Sequence, residues 1–446
     1  MRQRLANQML HRILHTGIHV AVLMALPGAA KAARLNYDIG ASVMHSDNIN
    51  LSQDDPIDET VLAPRLRFTF DHSSSVLETA LRGDFQYLDY TGGSYDNDLR
   101  GEFAGALDWT MLPERLHFFA RDSLSRQSVD SLVAFTPGNQ QQINVFEAGP
   151  SLYLRFGEAM RSQIDLRYTN SYAEETETLN NDRYNLAARL IRDLSPTDQL
   201  SFNLEATQTD YDSISEFYDY KRYDGYFTYN TALSSVTMNI DAGYSELEPR
   251  SGESASSPLL RAQIEWQLMP RSKLLANLSY EFADATQDLI LRADQPVPPV
   301  NPGNPGIGNP DNPDLQIVPD IFKQKRGMLG YEYEGDRLNV LVQPYYEQLR
   351  YIRDDSFDQN SYGGQASARY QLRQTWYLNL LLARQQREFI DASRDDRDTT
   401  IGAGLEARFS RHWGAQFDYQ YRKRDSNVGG QNYTENVVAL AFTYFR

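Results

Sequence analysis

From Leu35 to the C-terminus, apolar and polar residues alternate with a period of two, in segments of about ten residues. Leu35, Tyr37 and Ile39 share one parity, whereas Asn36 and Asp38 share the other. Successive side chains of a β-strand point to opposite faces of its sheet, so this pattern predicts strands with one apolar and one polar face. About twenty such segments follow one another, and this repetition limits the possible folds more than any other feature.

The connections between these segments alternate between short and long. Short ones lie near residues 74, 113, 158, 196, 234, 270, 335, 374 and 411, most of them about 38 residues apart. Long ones, such as 47–59, 91–98, 391–398 and 287–320, are acidic or rich in Pro, Asn and Gly. Short turns at one end and long loops at the other are typical of outer-membrane barrels. We therefore predict an all-β, transmembrane, antiparallel up-and-down β-barrel of about 20 strands (range 16–22), with both termini in the periplasm.

Composition excludes several other classes of protein. The 446 residues carry a net charge of −17, the wrong sign for nucleic-acid binding. No apolar run approaches the roughly 20 residues of a membrane-spanning helix. The chain has no Cys, which excludes disulfides and Cys nucleophiles, and its 12% aromatic residues are too many for a disordered chain. A β-propeller, a sandwich and a solenoid are the soluble alternatives, but none predicts alternating short and long connections.

Residues 1–32 are predicted to be a cleaved secretory signal peptide. Arg2, Arg4 and Arg12 precede the short apolar stretch 18–26, and residues 30–32 form a small-x-small cleavage site. An ordinary amphipathic helix is the alternative interpretation. Cleavage before Ala33 leaves residues 33–446 as the barrel, and export places that barrel in the outer membrane of a Gram-negative cell. The expected partners are outer-membrane lipid and lipopolysaccharide, a polysaccharide and a periplasmic export partner, and no nucleic acid.

The polar face of the strands is the candidate functional surface, because the lumen of so wide a barrel is too large for side chains to fill. The wall is hydrophilic, and its charges of both signs are interleaved. One interpretation is a conduit that presents fixed charges to a polar solute, and the other is a ladder of cross-strand ion pairs that stiffens the wall. The predicted pore-lining residues are Arg82, Asp84, Arg100, Glu102, Asp108, Arg121, Asp165, Arg167, Arg189, Glu205, Arg222, Asp224, Asp241, Arg261, Glu265, Arg326, Glu332, Arg369, Arg387, Glu406, Arg408, Asp418 and Arg422.

Aromatic residues and two loops have further interpretations. Aromatic residues at strand ends are expected to form interfacial girdles. Inward tyrosines are alternative stacking platforms for sugars. The segment 125–144 mixes apolar residues with Gln and is expected to fold into the barrel mouth or to contact a protein, and 287–320 is expected to be a lid, a plug or a solvated spacer. The girdle residues are Tyr87, Trp109, Trp266, Trp376, Trp413 and Tyr444, and the inward tyrosines are Tyr226, Tyr345 and Tyr377.

No motif predicts an enzyme, a cofactor or a metal site. His45, His72, His117 and His412 form neither a nucleophile elbow nor an H-E-x-x-H pair. The acidic segment 47–59 lacks the ordered ligand spacing of a calcium loop.

Two stretches carry a family resemblance. Residues 45–51 (HSDNINL) follow the first strand, and Pro64 opens a strand that continues with Leu66, Phe68 and Phe70. Residues 120–127 (ARDSLSRQ) follow a turn that contains Pro113 and Arg115. Together they resemble the β-barrel porins found with exopolysaccharide and PEP-CTERM (exosortase) systems of Gram-negative bacteria. The resemblance implies an outer-membrane protein and, by association, passage of an exopolysaccharide; it brings no catalytic residues.

Three functions remain open at this point. A passive conduit for exopolysaccharide export predicts a continuous wide lumen and a periplasmic partner. A general or solute-selective porin predicts a constriction folded into the barrel. A structural or partner-binding barrel predicts a plugged lumen.

Overall fold

The computed structural model describes residues 33–212, 216–287 and 318–446. The predicted signal peptide and most of the segment 287–320 lie outside them. The described residues form one closed antiparallel sheet of twenty strands, which confirms the predicted barrel. The strands are β1 (Ala33–Ser46), β2 (Glu59–Ser73), β3 (Leu77–Tyr90), β4 (Asp98–Leu112), β5 (Leu116–Ser128), β6 (Gln140–Arg155), β7 (Met160–Ala173), β8 (Asn181–Asp193), β9 (Asp198–Tyr211), β10 (Tyr220–Ala232), β11 (Val236–Pro249), β12 (Ala255–Met269), β13 (Ser272–Ala283), β14 (Phe322–Glu334), β15 (Leu338–Tyr351), β16 (Gln359–Arg373), β17 (Trp376–Phe389), β18 (Arg394–Arg408), β19 (Trp413–Ser426) and β20 (Tyr433–Phe445).

Each strand pairs with its neighbours along the chain, and β20 pairs with β1 to close the barrel. We call the end with the short connections the turn end. Its turns are two to four residues long; the connection 270–271 has two residues and the connection 409–412 has four. The opposite end, here called the loop end, carries 47–58, 129–139 and 284–321 among its connections. Short 3-10 helices lie in four loop-end connections, at Pro137–Asn139, Glu177–Leu179, Glu216–Tyr218 and Asp355–Phe357.

Several strands extend further toward the loop end than the sequence pattern predicted. β5 continues to Ser128 and β6 begins at Gln140, so the predicted loop 125–144 shrinks to 129–139. The predicted long connection 391–398 is only 390–393. Polar residues continue the alternation beyond the apolar belt there, so the apolar pattern ends before the hydrogen-bonded ladder does.

The outer face of the barrel is the apolar one. Leu35, Ile39 and Val43 of β1 are about half exposed, as are many leucines on the other strands. The four tryptophans, Trp109, Trp266, Trp376 and Trp413, all lie on this face near the turn end, and the ring of Tyr444 packs against Trp413. Tyr87 lies nearer the loop end. These positions agree with the predicted girdles.

One part of the outer face is packed unusually tightly. The rings of Phe68 and Phe85 stack with their centroids 6.4 Å apart, directly over Gly83. A Cβ atom at position 83 would be only 2.4 Å from the Phe68 ring and 2.9 Å from the Phe85 ring. Phe103 and Leu81 continue this cluster over β3 and β4. Glycine is therefore required at position 83 to let the rings lie flat against the sheet.

Candidate channel interior

Two arginines identify the face that points into the barrel. Arg183 on β8 donates to the carboxylate of Asp284 at 2.5 Å, although Asp284 follows β13, five strands away. Arg222 on β10 donates to the carbonyl oxygen of Phe282 at 3.1 Å, three strands away. Side chains of separated strands meet through the enclosed space. The face that carries both arginines is therefore the inner face, and the pairing register extends this assignment to the other strands.

The register places every residue of the predicted pore-lining set on this inner face. On β3, for example, Arg82 and Asp84 have the parity opposite to the outward Phe85. On β16, Arg369 lies opposite Asn339 of β15. Whether these side chains line an open pore stays a prediction, but they share one surface of the closed sheet.

Many of these charges are paired with one another. Asp165 on β7 is 3% exposed and accepts hydrogen bonds from Ser151 at 2.6 Å and Arg167 at 3.2 Å. Arg189 on β8 contacts Asp165 and also lies 3.4 Å from Glu205 on β9. The wall therefore carries a continuous ladder of charged hydrogen bonds from β6 to β9.

The ladder continues on the next four strands. The hydroxyl of Tyr226 donates to Glu205 at 2.6 Å. The guanidinium of Arg261 lies over the Tyr226 ring, 5.8 Å from its centroid, and donates to Glu281 at 2.5 Å. Asp241 lies 3.6 Å from Arg261. This stretch of the wall matches the interpretation of a self-paired charge ladder.

A second group of ion pairs lies on β17 to β20. Arg387 and Arg424 both contact Asp398, with Arg424 Nε at 2.7 Å from the carboxylate. Arg422 Nε donates to Glu435 at 2.6 Å. Because each of these three cations has a carboxylate partner, this part of the wall is polar without a strong excess of either sign.

The exposure of the inner face changes along the barrel axis. Toward the turn end, the side chains of Glu265 and Arg408 are 54% and 51% exposed. Toward the loop end, the side chains of Arg222 and Asp224 are 9% and 2% exposed. Water therefore reaches the inner wall from the turn end, whereas the lumen is filled near the loop end.

Opposite walls of the barrel touch near the loop end in a cluster that we call the wall bridge. Ile143 and Val145 of β6 pack in it with Phe322 of β14 and Leu349 of β15, and Ala285 lies between them. β6 and β14 are eight strands apart in a barrel of twenty, so these contacts cross the lumen. Residues 284–287, which follow β13, thus fold inward and fill this part of the loop end.

Asp284 holds the wall bridge by polar contacts. It is 1% exposed and accepts hydrogen bonds from Arg183, from the Tyr220 hydroxyl at 2.6 Å and from the backbone N–H of Gln287 at 2.8 Å. Burial by itself raises the pKa of this carboxyl, but Arg183 and the Tyr220 hydroxyl outweigh burial and lower the pKa below its ordinary value. The bridge is therefore built around the ionised carboxylate.

Asp320 anchors the other side of the 284–321 connection. It is 3% exposed and accepts hydrogen bonds from the backbone N–H groups of Ile321 at 2.8 Å, Arg353 at 3.2 Å and Asp354 at 3.3 Å. Burial has the largest influence on its pKa and raises it despite these bonds. Val318 packs on the wall bridge nearby. Both ends of this connection therefore lie inside the loop end of the lumen.

A second contact across the loop end, the loop bridge, is formed by the connections 47–58 and 129–139. Leu51 and Ala134 pack together with Tyr433 of β20. Phe135 and Arg422 line a cavity of about 20 Å³, room for about one water molecule. Of the two expectations for this apolar loop, folding into the mouth is the one that the structure supports.

The loop bridge is held in shape by Asn139. Its side-chain amide donates to the carbonyl oxygens of Asp130 at 2.7 Å and Ala134 at 3.1 Å, and its oxygen accepts from the Asp130 N–H at 2.9 Å. Arg100 of the inner wall donates to the carbonyl oxygen of Pro137 at 2.7 Å. The connection is thus an ordered loop fixed to the wall.

The inward tyrosines differ in exposure and in the contacts that their rings already make. Tyr226 is 7% exposed and belongs to the charge ladder, so its ring is not presented to a solute. Tyr377 has the Arg369 guanidinium 4.3 Å from its ring centroid. Sugar stacking stays a prediction for Tyr345 and Tyr377.

Sequence reasoning missed several residues that build this interior. Asp398, Arg424 and Glu435 have the inner parity. Arg424 and Glu435 lie within predicted strands, so parity alone indicates them, whereas Asp398 lies one residue before its predicted strand. Asp284 lies just beyond the end of β13, where the alternation of the strand no longer predicts which way a side chain points. Within the described ranges, no three His, Asp or Glu side chains are grouped closely enough to hold a metal ion. No helix there is both long and apolar enough to cross a bilayer.

The sequence was compared with known families and curated proteins. A family model described as "Putative beta-barrel porin 2" matches residues 357–445, the part of the chain that contains β16 to β20. This match supports the predicted resemblance to β-barrel porins, and it carries no information about exopolysaccharide. The comparison with curated proteins finds no match.

The structure is similar to solved structures of two receptors and an iron transporter at low sequence identity. The siderophore receptor PirA from Pseudomonas aeruginosa is 13% identical, with 93% of this chain and 80% of that chain covered and a TM-score of 0.44. The FrpB iron transporter from Neisseria meningitidis (F5-1 variant) is 8% identical, with 93% and 83% covered and a TM-score of 0.45. A mutant of the ferric enterobactin receptor PfeA from Pseudomonas aeruginosa is 10% identical, with 93% and 81% covered and a TM-score of 0.45.

Proposed function

We propose that this protein is a gated channel of the outer membrane for hydrophilic solutes. One observation carries the proposal: the inner wall is polar and open to water from the turn end, while the wall bridge crosses the lumen and the loop bridge covers part of its mouth near the loop end. A barrel of this strand number encloses more space than its side chains fill. Paired charges keep such a wall wettable without trapping a solute of one sign.

The asymmetry of the connections and the match to a porin family support a location in the outer membrane. Short turns of such barrels lie in the periplasm. We therefore assign the turn end, and with it both chain termini, to the periplasmic side, after removal of residues 1–32 before Ala33. In this orientation the water-accessible half of the lumen is a periplasmic vestibule.

The proposed solute is an exopolysaccharide that leaves the cell. The family resemblance supports this choice, and so does the direction of the vestibule, which receives material from the periplasm. Sugar hydroxyl groups exchange readily with the carboxylate, guanidinium and hydroxyl groups of the charge ladder. A polymer requires a wide path, so the two bridges must open during export, and a periplasmic export partner is the proposed trigger.

A selective porin for small polar molecules is the second candidate, and the bridges themselves favour it. A contact folded into the lumen is a constriction, which selects small solutes without any need to open fully. The two candidates differ in whether a long oligosaccharide can thread the barrel.

Conductance of the refolded barrel in a planar bilayer tests the proposal. Asp284→Asn removes the charge that pairs with Arg183 in the wall bridge, and Asp336→Asn is the matched control. Asp336 forms an exposed ion pair with Arg271 at the turn end, at 2.7 Å, far from the bridges. We expect rare openings for the parent and the control, and frequent openings for Asp284→Asn.

Oligosaccharides then separate the candidates. Long acidic or neutral oligosaccharides that block the open Asp284→Asn channel from the turn side support an export conduit. Block only by mono- and disaccharides supports the porin. Absence of conductance from both folded proteins, judged by heat-modifiable migration in gels, contradicts a channel and supports a structural barrel with a plugged lumen.

A further inference from the structure

The lysines of this chain are distributed unevenly over the barrel. Among the described residues, Lys273 is the one on the inner face, where it lies 3.0 Å from Glu332. Lys221, Lys323, Lys325 and Lys423 all have the outer parity and lie toward the loop ends of β10, β14 and β19. Four of the five described lysines thus lie at one level of the outer face.

Lys323 and Lys325 differ from the other two outer lysines in their neighbours. Lys423 Nζ lies 2.8 Å from Asp425, and Lys221 faces Glu248 across the strand pair. Lys323 lies opposite Phe282 and Arg350, and Lys325 lies opposite Tyr280 and Gln348, so neither lysine faces a carboxylate across the strands. Within the described part of the chain, no carboxylate lies within 4 Å of either ammonium group.

Aromatic rings and a third cation surround this pair of lysines. Lys325 Nζ lies 5.5 Å from the centroid of the Tyr280 ring. Lys323 Nζ lies 5.4 Å from the centroid of the Phe282 ring, which is 1% exposed and packs in a buried cluster with Tyr220 and Leu247. Lys323 also lies directly opposite Arg350 of β15. Like charges directly opposite each other destabilise a sheet unless an anion lies between or above them. Arg350 is partly neutralised, because its Nε lies 3.6 Å from Asp358.

The surface next to the lysines, toward the turn end, is apolar and open. Leu278 of β13 is 50% exposed, Leu329 of β14 is 55% exposed, and Val342 of β15 is 40% exposed. Each lies on the same outer face as Lys325. Cations at the rim of an exposed apolar belt match a ligand that has phosphate groups at its head and acyl chains below.

We infer that Lys323 and Lys325 bind the phosphate groups of a phosphorylated glycolipid of the outer leaflet, the lipid A part of lipopolysaccharide. The inference rests on the outer-membrane location proposed above and not on the transported solute. A phosphate placed between the lysines and Arg350 relieves the repulsion of three neighbouring cations, and the Tyr280 ring supports the ammonium group from the side. The acyl chains lie along Leu278 and Leu329.

Native mass spectrometry of the refolded barrel with diphosphoryl lipid A tests this inference. The test protein carries Lys323→Gln and Lys325→Gln, and the matched control carries Lys221→Gln and Lys423→Gln. Each variant removes two outer lysines from the same level of the barrel. We expect at least tenfold weaker binding for the test protein and less than a twofold change for the control. Fully dephosphorylated lipid A should bind the parent and both variants equally weakly.

Two results would overturn the site. One is a Lys323→Gln/Lys325→Gln barrel that binds diphosphoryl lipid A as tightly as the parent, and the other is an equal loss in the control. Displacement of lipid A by inorganic phosphate at the same concentration would assign the site to the free anion instead of the lipid. Heat-modifiable migration checks that each variant is folded. Conductance of the same variants is measured separately, so failure of the channel proposal is distinguishable from failure of the lipid site.

Discussion

The loop end and the turn end of the lumen are built from the same twenty strands, yet only the loop end is filled. Near the turn end, Glu265 and Arg408 are more than half exposed, whereas Asp224 is almost completely buried near the loop end. The strands are alike in alternation, so the difference comes from the connections. Turns of two to four residues cannot reach into the barrel, whereas 129–139 and the described residues 284–287 and 318–321 fold inward. The lumen of this barrel is therefore filled at the end where the connections between strands are long.

Substitution of Asp284 should have the largest effect on the closure of the loop end, and should make that end more like the open turn end. Asp284→Asn leaves Arg183 buried without its ionic partner, which costs about 3 kcal/mol in the bridged state. The ratio of open to closed time should rise roughly a hundredfold. Single-channel recordings measure this ratio, with Asp336→Asn at the turn end as the control. Equal open times in the two variants would show that the wall bridge does not close the lumen.

Acidification should also raise the ratio of open to closed time, but by less than Asp284→Asn does. The pKa of Asp284 lies below its ordinary value of 3.8, so its contribution to the bridge is complete above pH 3.8 and is lost as the pH falls through the lowered pKa. Asp320 acts in the opposite direction, because its pKa is raised and protonation favours its buried position. Openings of the parent should therefore increase only below pH 3.8. Conductance recorded over falling pH measures this, and Asp284→Asn should lack the acid step; an increase already near neutral pH would point to another group.

Removal of the Asn139 side chain should loosen the loop bridge. Asn139→Ala deletes hydrogen bonds to several backbone groups of the connection 129–139, which costs about 1–2 kcal/mol. Chymotrypsin should then cleave after Phe135 roughly tenfold faster. Asn36→Ala is the matched control, since Asn36 makes one exposed hydrogen bond to Thr69 near the turn end, at 3.3 Å. Unchanged cleavage would mean that apolar packing alone holds the loop.

Removal of one exposed inner-face charge, that of Arg82, should alter the ion selectivity of the channel and have little effect on its stability. Arg82 is exposed on the inner face and forms no ion pair within the described residues. Arg82→Gln should change stability by no more than about 0.5 kcal/mol and lower the anion-to-cation permeability ratio by less than about twofold. Reversal potentials in a salt gradient measure the ratio. Arg189→Gln is the contrasting variant, because it breaks the charge ladder at Asp165 and should destabilise the barrel.

The sequence was sufficient for the barrel and for the inner face, because both depend on local alternation. Every residue of the pore-lining set has the inner parity, and the strand count of twenty is confirmed. The alternation is imposed by lipid on one side and water on the other, so a single strand already contains the information.

The closure of the loop end could not be predicted in the same way. Arg183 on β8 and Asp284, just after β13, are 101 residues apart, and Ile143 and Phe322 belong to one buried cluster although β6 and β14 do not pair. No periodicity relates such positions, because the contact depends on where a loop folds. Alternation also gave no sign that the rings of Phe68 and Phe85 share the space above Gly83. Contacts between neighbouring strands are readable from one sequence, whereas contacts across the enclosed space are not.

The pairing of β20 with β1 has a consequence for assembly. The chain is synthesised and exported from its N-terminus, so β1 has an unpaired edge until the thirteen residues of β20 arrive. Nine cross-strand pairs then close the seam, from Asp38 opposite Phe445 to Ser46 opposite Val437. A slip of one residue would turn Glu435 toward lipid, and its hydrogen bond from Ser46, at 2.5 Å, holds the correct register. Pairing of β20 therefore determines whether the nineteen strands before it become a membrane wall or an aggregate.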